Sequence, residues 1–202
     1  KNQLGNFYPP KKIFIDTNFL KTLSKKDLRS GIGEMAHYFF VSSKSDFNYF
    51  KKNYLRALDK EILVCKSLIY KSLRIKKFFI EVDEHDKKER LILNYGHTFG
   101  HVFESMSNFK IPHGVAVMIG MYVIDRYFKR DVARYSPYMD IIKRYSQYII
   151  IDDALILKHL KADKKVMSDK ITLINCREFV KVDLNDTLVK DVVSIVSNEL
   201  IS

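Results

Sequence analysis

Arg90-Leu91-Ile92-Leu93-Asn94-Tyr95-Gly96-His97-Thr98-Phe99-Gly100-His101 is the stretch on which the reading of this chain turns. Leu91, Tyr95, Phe99, Val102 and Met106 recur at helical spacing, so residues 83–106 read as one long amphipathic helix. His97 and His101 stand four apart, and a helix places them on one face. Gly96 and Gly100 interrupt the pattern, each at a cost of about 1 kcal/mol relative to alanine. Two such residues beside a histidine pair point to close packing or to a ligand approaching the backbone.

Working outward, Pro112-His113-Gly114 breaks the chain, and residues 115–130 form a second, strongly apolar helix. Upstream, Ser24 or Asp27 caps a helix running to about Phe40, with Ile32, Met35, Ala36 and Phe39 on one face. Asp46 caps the next, and Asp59 starts one that runs to about Lys76. Lys12-Ile13-Phe14-Ile15-Asp16 reads as a short strand, after an extended opening that ends in Pro9-Pro10. Downstream, Asp152 or Asp153 starts a helix ending near Lys161. Residues 171–182 alternate as a small hairpin would, and Asp186 caps a last helix. The predicted class is mainly α with minor β, in one domain over residues 1–202.

The chain has 202 residues, 47% of them hydrophobic, with a net charge of +11. That balance suits a soluble globular protein. No apolar run approaches the roughly 20 residues of a membrane span, and the N-terminus has no apolar core of a signal peptide. Cys65 and Cys176 lie far apart with no Cys-x-x-Cys partner, which favours a reducing cytoplasm. The positive charge admits nucleic acid, an anionic membrane surface or a small anionic substrate. Lysines are spread along the chain rather than gathered in a tail. A basic nucleic-acid-binding domain explains the charge but leaves the histidines unexplained.

One Glu and two or three His, namely Glu34, His97, His101 and His113, make a plausible divalent-metal set. The segment 90–101 resembles the signature of the 3-dehydroquinate synthase family. His113-Gly114-Val115-Ala116-Val117 resembles its second histidine motif, and Leu28-Arg29-Ser30-Gly31-Ile32-Gly33-Glu34 the segment that brings a metal-binding glutamate. Lys1-Asn2-Gln3-Leu4-Gly5, Phe19-Leu20-Lys21-Thr22-Leu23 and Asp163-Lys164-Lys165 also match, in order, from residue 1 to about 165.

The resemblance implies the helical C-terminal domain of the dehydroquinate synthase-like fold, with a Rossmann-like NAD domain absent from this chain. It implies a carbocycle-forming lyase of the shikimate pathway acting on an acid sugar phosphate, homodimeric when full length, with no nucleic acid or membrane partner. The metal ligands it implies are Glu34, His97 and His113, for Zn²⁺ or Co²⁺, while NAD does the redox work. It makes His101 a proton-moving residue and His37 a catalytic candidate. It gives Lys76, Arg90 and Asn94 to the substrate, with Lys1, Asn2 and one of Lys164 or Lys165 as phosphate and active-site contacts. Phe19, Leu20, Lys21 and Thr22 would touch the cofactor. Two positions depart from the family: His37 stands where it usually has lysine, and Val115 where it usually has an acidic residue. Relatives acting on neutral-ended sugar phosphates tend to lose the arginine retained here as Arg90, so the acid substrate is the expected one.

Overall fold

The structure is a computed structural model that describes residues 8, 10–85, 88–163, 166–167 and 169–202. Among the described residues eight α-helices carry the fold: α1 (Lys25–Phe40), α2 (Lys44–Leu58), α3 (Ile62–Val82), α4 (His97–Met106), α5 (His113–Tyr127), α6 (Met139–Ser146), α7 (Asp153–Lys161) and α8 (Asp186–Ile195). The expected mainly helical class holds. Strands β1 (Val166–Met167), β2 (Lys170–Ile174) and β3 (Phe179–Asp183) form one antiparallel sheet in that order, pairing Ile171 with Val182 and Leu173 with Val180. The hairpin expected over 171–182 is therefore present, with β1 added at its edge.

Helix α5 is the axis of the domain. Residues Gly114 to Asp125 are all buried, as expected of a helix apolar on every side. Helices α1 and α4 pack against it most extensively, with α6 and α8 also in contact. Helices α2 and α3 lie against α1, and α7 bridges α4 and α8. Beyond α8 the chain winds as a π-helix over Val196–Ile201. Glu199 on that turn accepts from Tyr122 (2.7 Å) and from the Arg126 guanidinium (2.7 Å), which fastens the C-terminus to α5.

Several boundaries differ from the sequence reading, each for a local reason. Residues 83–106 are not one helix. A 3₁₀ segment, Glu89–Asn94, is followed by Tyr95 and by Gly96 in the left-handed region (φ 79°), and α4 starts only at His97. Gly96 alone tolerates that backbone cheaply, so it ends one element and opens the next. Helix α2 is capped by Ser43, whose hydroxyl accepts from the Asp46 amide while donating to the Asp46 carboxylate. Asp46 is thus the third residue of a capping-box-like pair and not the cap. Asp59 ends α2, and Glu61 precedes α3, which runs to Val82. Asn185 rather than Asp186 caps α8. The sequence reading also overlooked α6, a short helix with buried Ile142 and Ser146.

The strand expected over Lys12–Asp16 is not formed: these residues join no ladder among the described residues, and Ile13, Phe14 and Ile15 are 75%, 90% and 53% exposed. A β-type run becomes a strand only when a neighbour satisfies its backbone, and the sheet of this chain lies elsewhere.

Candidate metal centre

Three helices bring the site together, and close backbone approach is what lets them. Gly114 on α5 faces Ser30 and Glu34 on α1 so tightly that a Cβ there would run into the Ser30 carbonyl. Gly33 meets Gly114 from the other side. The Gly114 amide donates to the Ser30 hydroxyl at 3.1 Å. Glu34, next to Gly33, is thereby set against His113, next to Gly114. Helix α4 is anchored through Tyr95, whose hydroxyl donates to Asp125 Oδ2 (2.6 Å) and lies 2.7 Å from the Tyr135 hydroxyl; Tyr135 also donates to Asp125 (2.8 Å). That buried triangle fixes the residue before Gly96, and hence the start of α4.

His97 and His113 are the first residues of α4 and α5. Glu34 Oε1 lies 3.6 Å from His97 Nε2, and Glu34 Oε2 lies 3.3 Å from His113 Nε2. One ligating atom from each of the three falls within 4.8 Å of the others. The rest of each ring is committed elsewhere. His113 Nδ1 is 2.9 Å from Glu104 Oε2, and His97 Nδ1 is 3.3 Å from the Tyr95 carbonyl. Both Nδ1 atoms are therefore the protonated ones in the neutral rings, and both Nε2 lone pairs point at a carboxylate.

Two imidazole Nε2 atoms turned on one carboxylate are the donor set expected of a metal site. Glu34 Oε2 is buried without a hydrogen-bond partner, in keeping with that reading. Burial pushes the Glu34 carboxyl up, but the imidazoles of His113 and His97 outweigh it and hold the carboxyl well below the usual range. His113 is raised, chiefly by Glu34 and against burial, with Glu104 adding to the effect. Two imidazoles and one carboxylate suit Zn²⁺ with positions left open, and a second carboxylate behind one histidine is the usual support for such a ligand.

The other expected residues are distributed as follows. His101 is exposed on α4, its ring 5.5 Å from those of His97 and His113 and nearly parallel to the latter. His37 is buried (1% exposed), with Nδ1 4.0 Å from Glu34 Oε1 and its ring 5.1 Å from that of His97. Burial pushes its pKa down to about 3, so it is neutral. Lys76 on α3 is half-buried, and its charge is felt at His37. Half-buried Arg90 donates to the Glu84 carbonyl at 2.7 Å, and Asn94 donates to the Leu91 carbonyl at 3.3 Å. Phe19, Leu20, Lys21 and Thr22 lie on the 3₁₀ turn Thr17–Lys21 and its cap, which packs on α3. Lys1, Asn2, Lys164 and Lys165 lie outside the described residues.

Two residues of the site escaped the sequence reading. Glu104 follows His97 by seven positions, two helical turns along the same face, a spacing that could have revealed it. Tyr38 packs with its ring centroid 4.0 Å from that of His37; burial, with Glu34 and against Arg90, raises its hydroxyl to about 12. No signal in the sequence separated Tyr38 from the other tyrosines.

Comparison with known proteins agrees with this geometry. Residues 31–166 match the 3-dehydroquinate synthase C-terminal family. The 3-dehydroquinate synthase of Dictyoglomus thermophilum is 35% identical over 201 residues, covering 93% of this chain and 55% of that protein. That of Campylobacter concisus is 36% identical over 182 residues, covering 86% of this chain and 51% of the relative. The chain thus spans about half the length of the curated relatives it matches. Among solved structures, a 2-deoxy-scyllo-inosose synthase complexed with carbaglucose-6-phosphate, NAD⁺ and Co²⁺ superposes with a TM-score of 0.73 at 22% identity, over 96% of this chain and 58% of that one. A 2-epi-5-epi-valiolone synthase from Streptomyces hygroscopicus, with NAD⁺ and Zn²⁺ bound, gives 0.73 at 18% identity, over 98% and 59%. At those identities the likeness is one of fold. With two-thirds of its length matched by the family and a metal-type triad at the crossing of α1, α4 and α5, the chain belongs to the 3-dehydroquinate synthase family.

Proposed function

We propose that this chain is the metal- and substrate-binding half of a 3-dehydroquinate synthase, a lyase that closes a carbocycle from an acid sugar phosphate with release of phosphate. The observation that carries the reading is the convergence of Glu34, His97 and His113 within 4.8 Å, with Glu104 behind His113. When bound, a divalent ion would supply Lewis acidity toward two neighbouring hydroxyls of the sugar, and NAD would supply the redox chemistry. The chain's own part is to bind, orient and move protons. Exposed His101, with its ring 5.5 Å from that of His113, is the candidate for moving protons. Arg90 offers a planar, two-point grip for a carboxylate, and Lys76 adds positive charge nearby. No helix among the described residues is long and apolar enough to cross a membrane, and Cys65 and Cys176 are free. Both fit the cytoplasmic setting of such an enzyme.

The NAD site would belong to a nucleotide-binding half encoded outside these 202 residues. Support comes from an apolar groove of about 270 Å³ lined by Ile15, Leu20, Leu23, Met35, Ile69 and Leu73, beside the exposed Phe14 and Phe19. A run apolar on both faces, such as Ile13-Phe14-Ile15, suits a strand covered on both sides. The 202-residue chain alone should therefore show no turnover with NAD and substrate. A chain extended by the nucleotide-binding half should turn over, and activity from the short chain without added NAD would refute the arrangement.

The competing reading is a cyclase for a neutral-ended sugar phosphate, favoured by buried His37 and Val115, where the resemblance leads one to expect charged side chains. The deciding assay offers the extended protein 3-deoxy-arabino-heptulosonate 7-phosphate, glucose 6-phosphate and sedoheptulose 7-phosphate, and follows phosphate release. Turnover of a neutral-ended sugar with none of the acid one would move the enzyme to another branch of the family.

A further inference from the structure

His37 stands where the resemblance leads one to expect a lysine, and its surroundings differ from what a substrate-reaching cation needs. The ring is 1% exposed, flanked by Tyr38 at 4.0 Å and His97 at 5.1 Å, and lies one helical turn after Glu34. Its Nδ1 is buried without a hydrogen-bond partner, a costly state for a ring nitrogen. The side-chain acceptor facing it is Glu34 Oε1, 4.0 Å away. The Glu34 backbone carbonyl is also near, but it accepts within α1 and makes no hydrogen bond to Nδ1.

We infer that His37 is a positioning residue for the metal site, donating a hydrogen bond from Nδ1–H to the Glu34 carboxylate when that carboxylate binds a divalent ion. A carboxylate that gives one oxygen to a cation still has lone pairs to satisfy on the other, and a buried neutral imidazole is a suitable donor. In the metal-bound state the 4.0 Å separation would shorten to hydrogen-bond distance. Lysine at this place would bring a charge and a longer reach, whereas His37 braces Glu34 from inside the core. The positive charge on this flank of the site then comes from Lys76, whose field is felt at His37. The inference rests on the metal-site reading above.

The test measures Zn²⁺ and Co²⁺ dissociation constants of the 202-residue chain by competition with a chromophoric chelator, together with the visible spectrum of the Co²⁺ form. His37→Phe removes the donor and keeps a ring, and His37→Gln keeps an N–H donor. His37→Phe should weaken both ions about 10- to 100-fold and alter the Co²⁺ spectrum, and His37→Gln should stay within about threefold of the parent. Thermal unfolding of the metal-free variants reports folding separately. If His37→Phe fails to fold, His37→Ala carries the same comparison without added volume. Parent-like affinity in the variants lacking a donor, or an equal loss in His37→Gln, overturns the inference and leaves the metal site standing. A parent chain that binds neither ion overturns both.

Discussion

Glu104 Oε2 sits 2.9 Å from His113 Nδ1, and that contact decides which nitrogen of His113 faces Glu34. The carboxylate holds the Nδ1–H tautomer and leaves Nε2 as the free ligand atom. Glu104→Ala should therefore weaken Zn²⁺ binding about 10- to 100-fold, and Glu104→Gln less, since the amide oxygen still accepts. Chelator competition measures it. Equal affinity in Glu104→Ala and parent would show that His113 needs no such support.

Acidity should act on the same pair. The pKa of His113 is raised, chiefly by Glu34 and secondly, against burial, by Glu104. A proton on Nε2 competes with the metal, so competition begins at higher pH than for an ordinary histidine near 6.5. Apparent Zn²⁺ affinity should rise with pH through the raised value and then level. In the metal-free chain the sign is opposite. A group whose folded pKa is raised stabilises the fold below its unfolded value, and that contribution fades as pH climbs through the folded one. A Zn²⁺ titration series from mildly acidic to mildly alkaline pH checks the first statement, and metal-free melting curves the second.

Gly114→Ala tests the helix crossing. An added Cβ meets the Ser30 carbonyl and the Glu34 amide, both backbone, so neither can swing aside. Overpacking of this kind costs about 1–3 kcal/mol, read from denaturant midpoints. Metal affinity should fall as well, because the same shift separates Glu34 from His113. A variant as stable as the parent with undiminished metal binding would mean that α1 and α5 can part without loss.

Tyr95→Phe should cost about 1–3 kcal/mol, since Asp125 loses one of its two hydroxyl donors inside the core. Its effect should extend to the site, as Tyr95 anchors the start of α4. The readout is a stability loss accompanied by weaker Zn²⁺ binding; stability loss with unchanged affinity would uncouple the triangle from the metal centre.

Substrate choice rests on Arg90. In the extended enzyme Arg90→Ala should lower kcat/KM by about 30- to 1000-fold, corresponding to about 2–4 kcal/mol. Metal content should be unchanged, because Arg90 is no ligand. A loss confined to metal content, with kcat/KM per loaded site unaltered, would remove Arg90 from the substrate site.

Periodicity and capping chemistry are local, and with them the sequence by itself determined most helices, the β2–β3 hairpin and the apolar character of α5. The motif order from Glu34 to His113 likewise marked three candidate ligands, whose donor atoms the structure brings within 4.8 Å. Tertiary structure decided the rest. Residues 83–106 carry a helical stripe, yet the helix starts afresh at His97, because Gly96 takes a left-handed backbone that packing against α5 accommodates and hydrophobic spacing cannot express. Lys12–Asp16 has strand composition and forms none, because a strand exists only through hydrogen bonds to another segment. The sequence marked His37 as a catalytic candidate and left Glu104 an ordinary letter; the fold sets Glu104 against His113 and His37 beside Glu34. Which residues are ligands is a matter of side-chain chemistry and can be written in a motif. Which residues hold those ligands depends on distances across helices, and only the folded chain sets them.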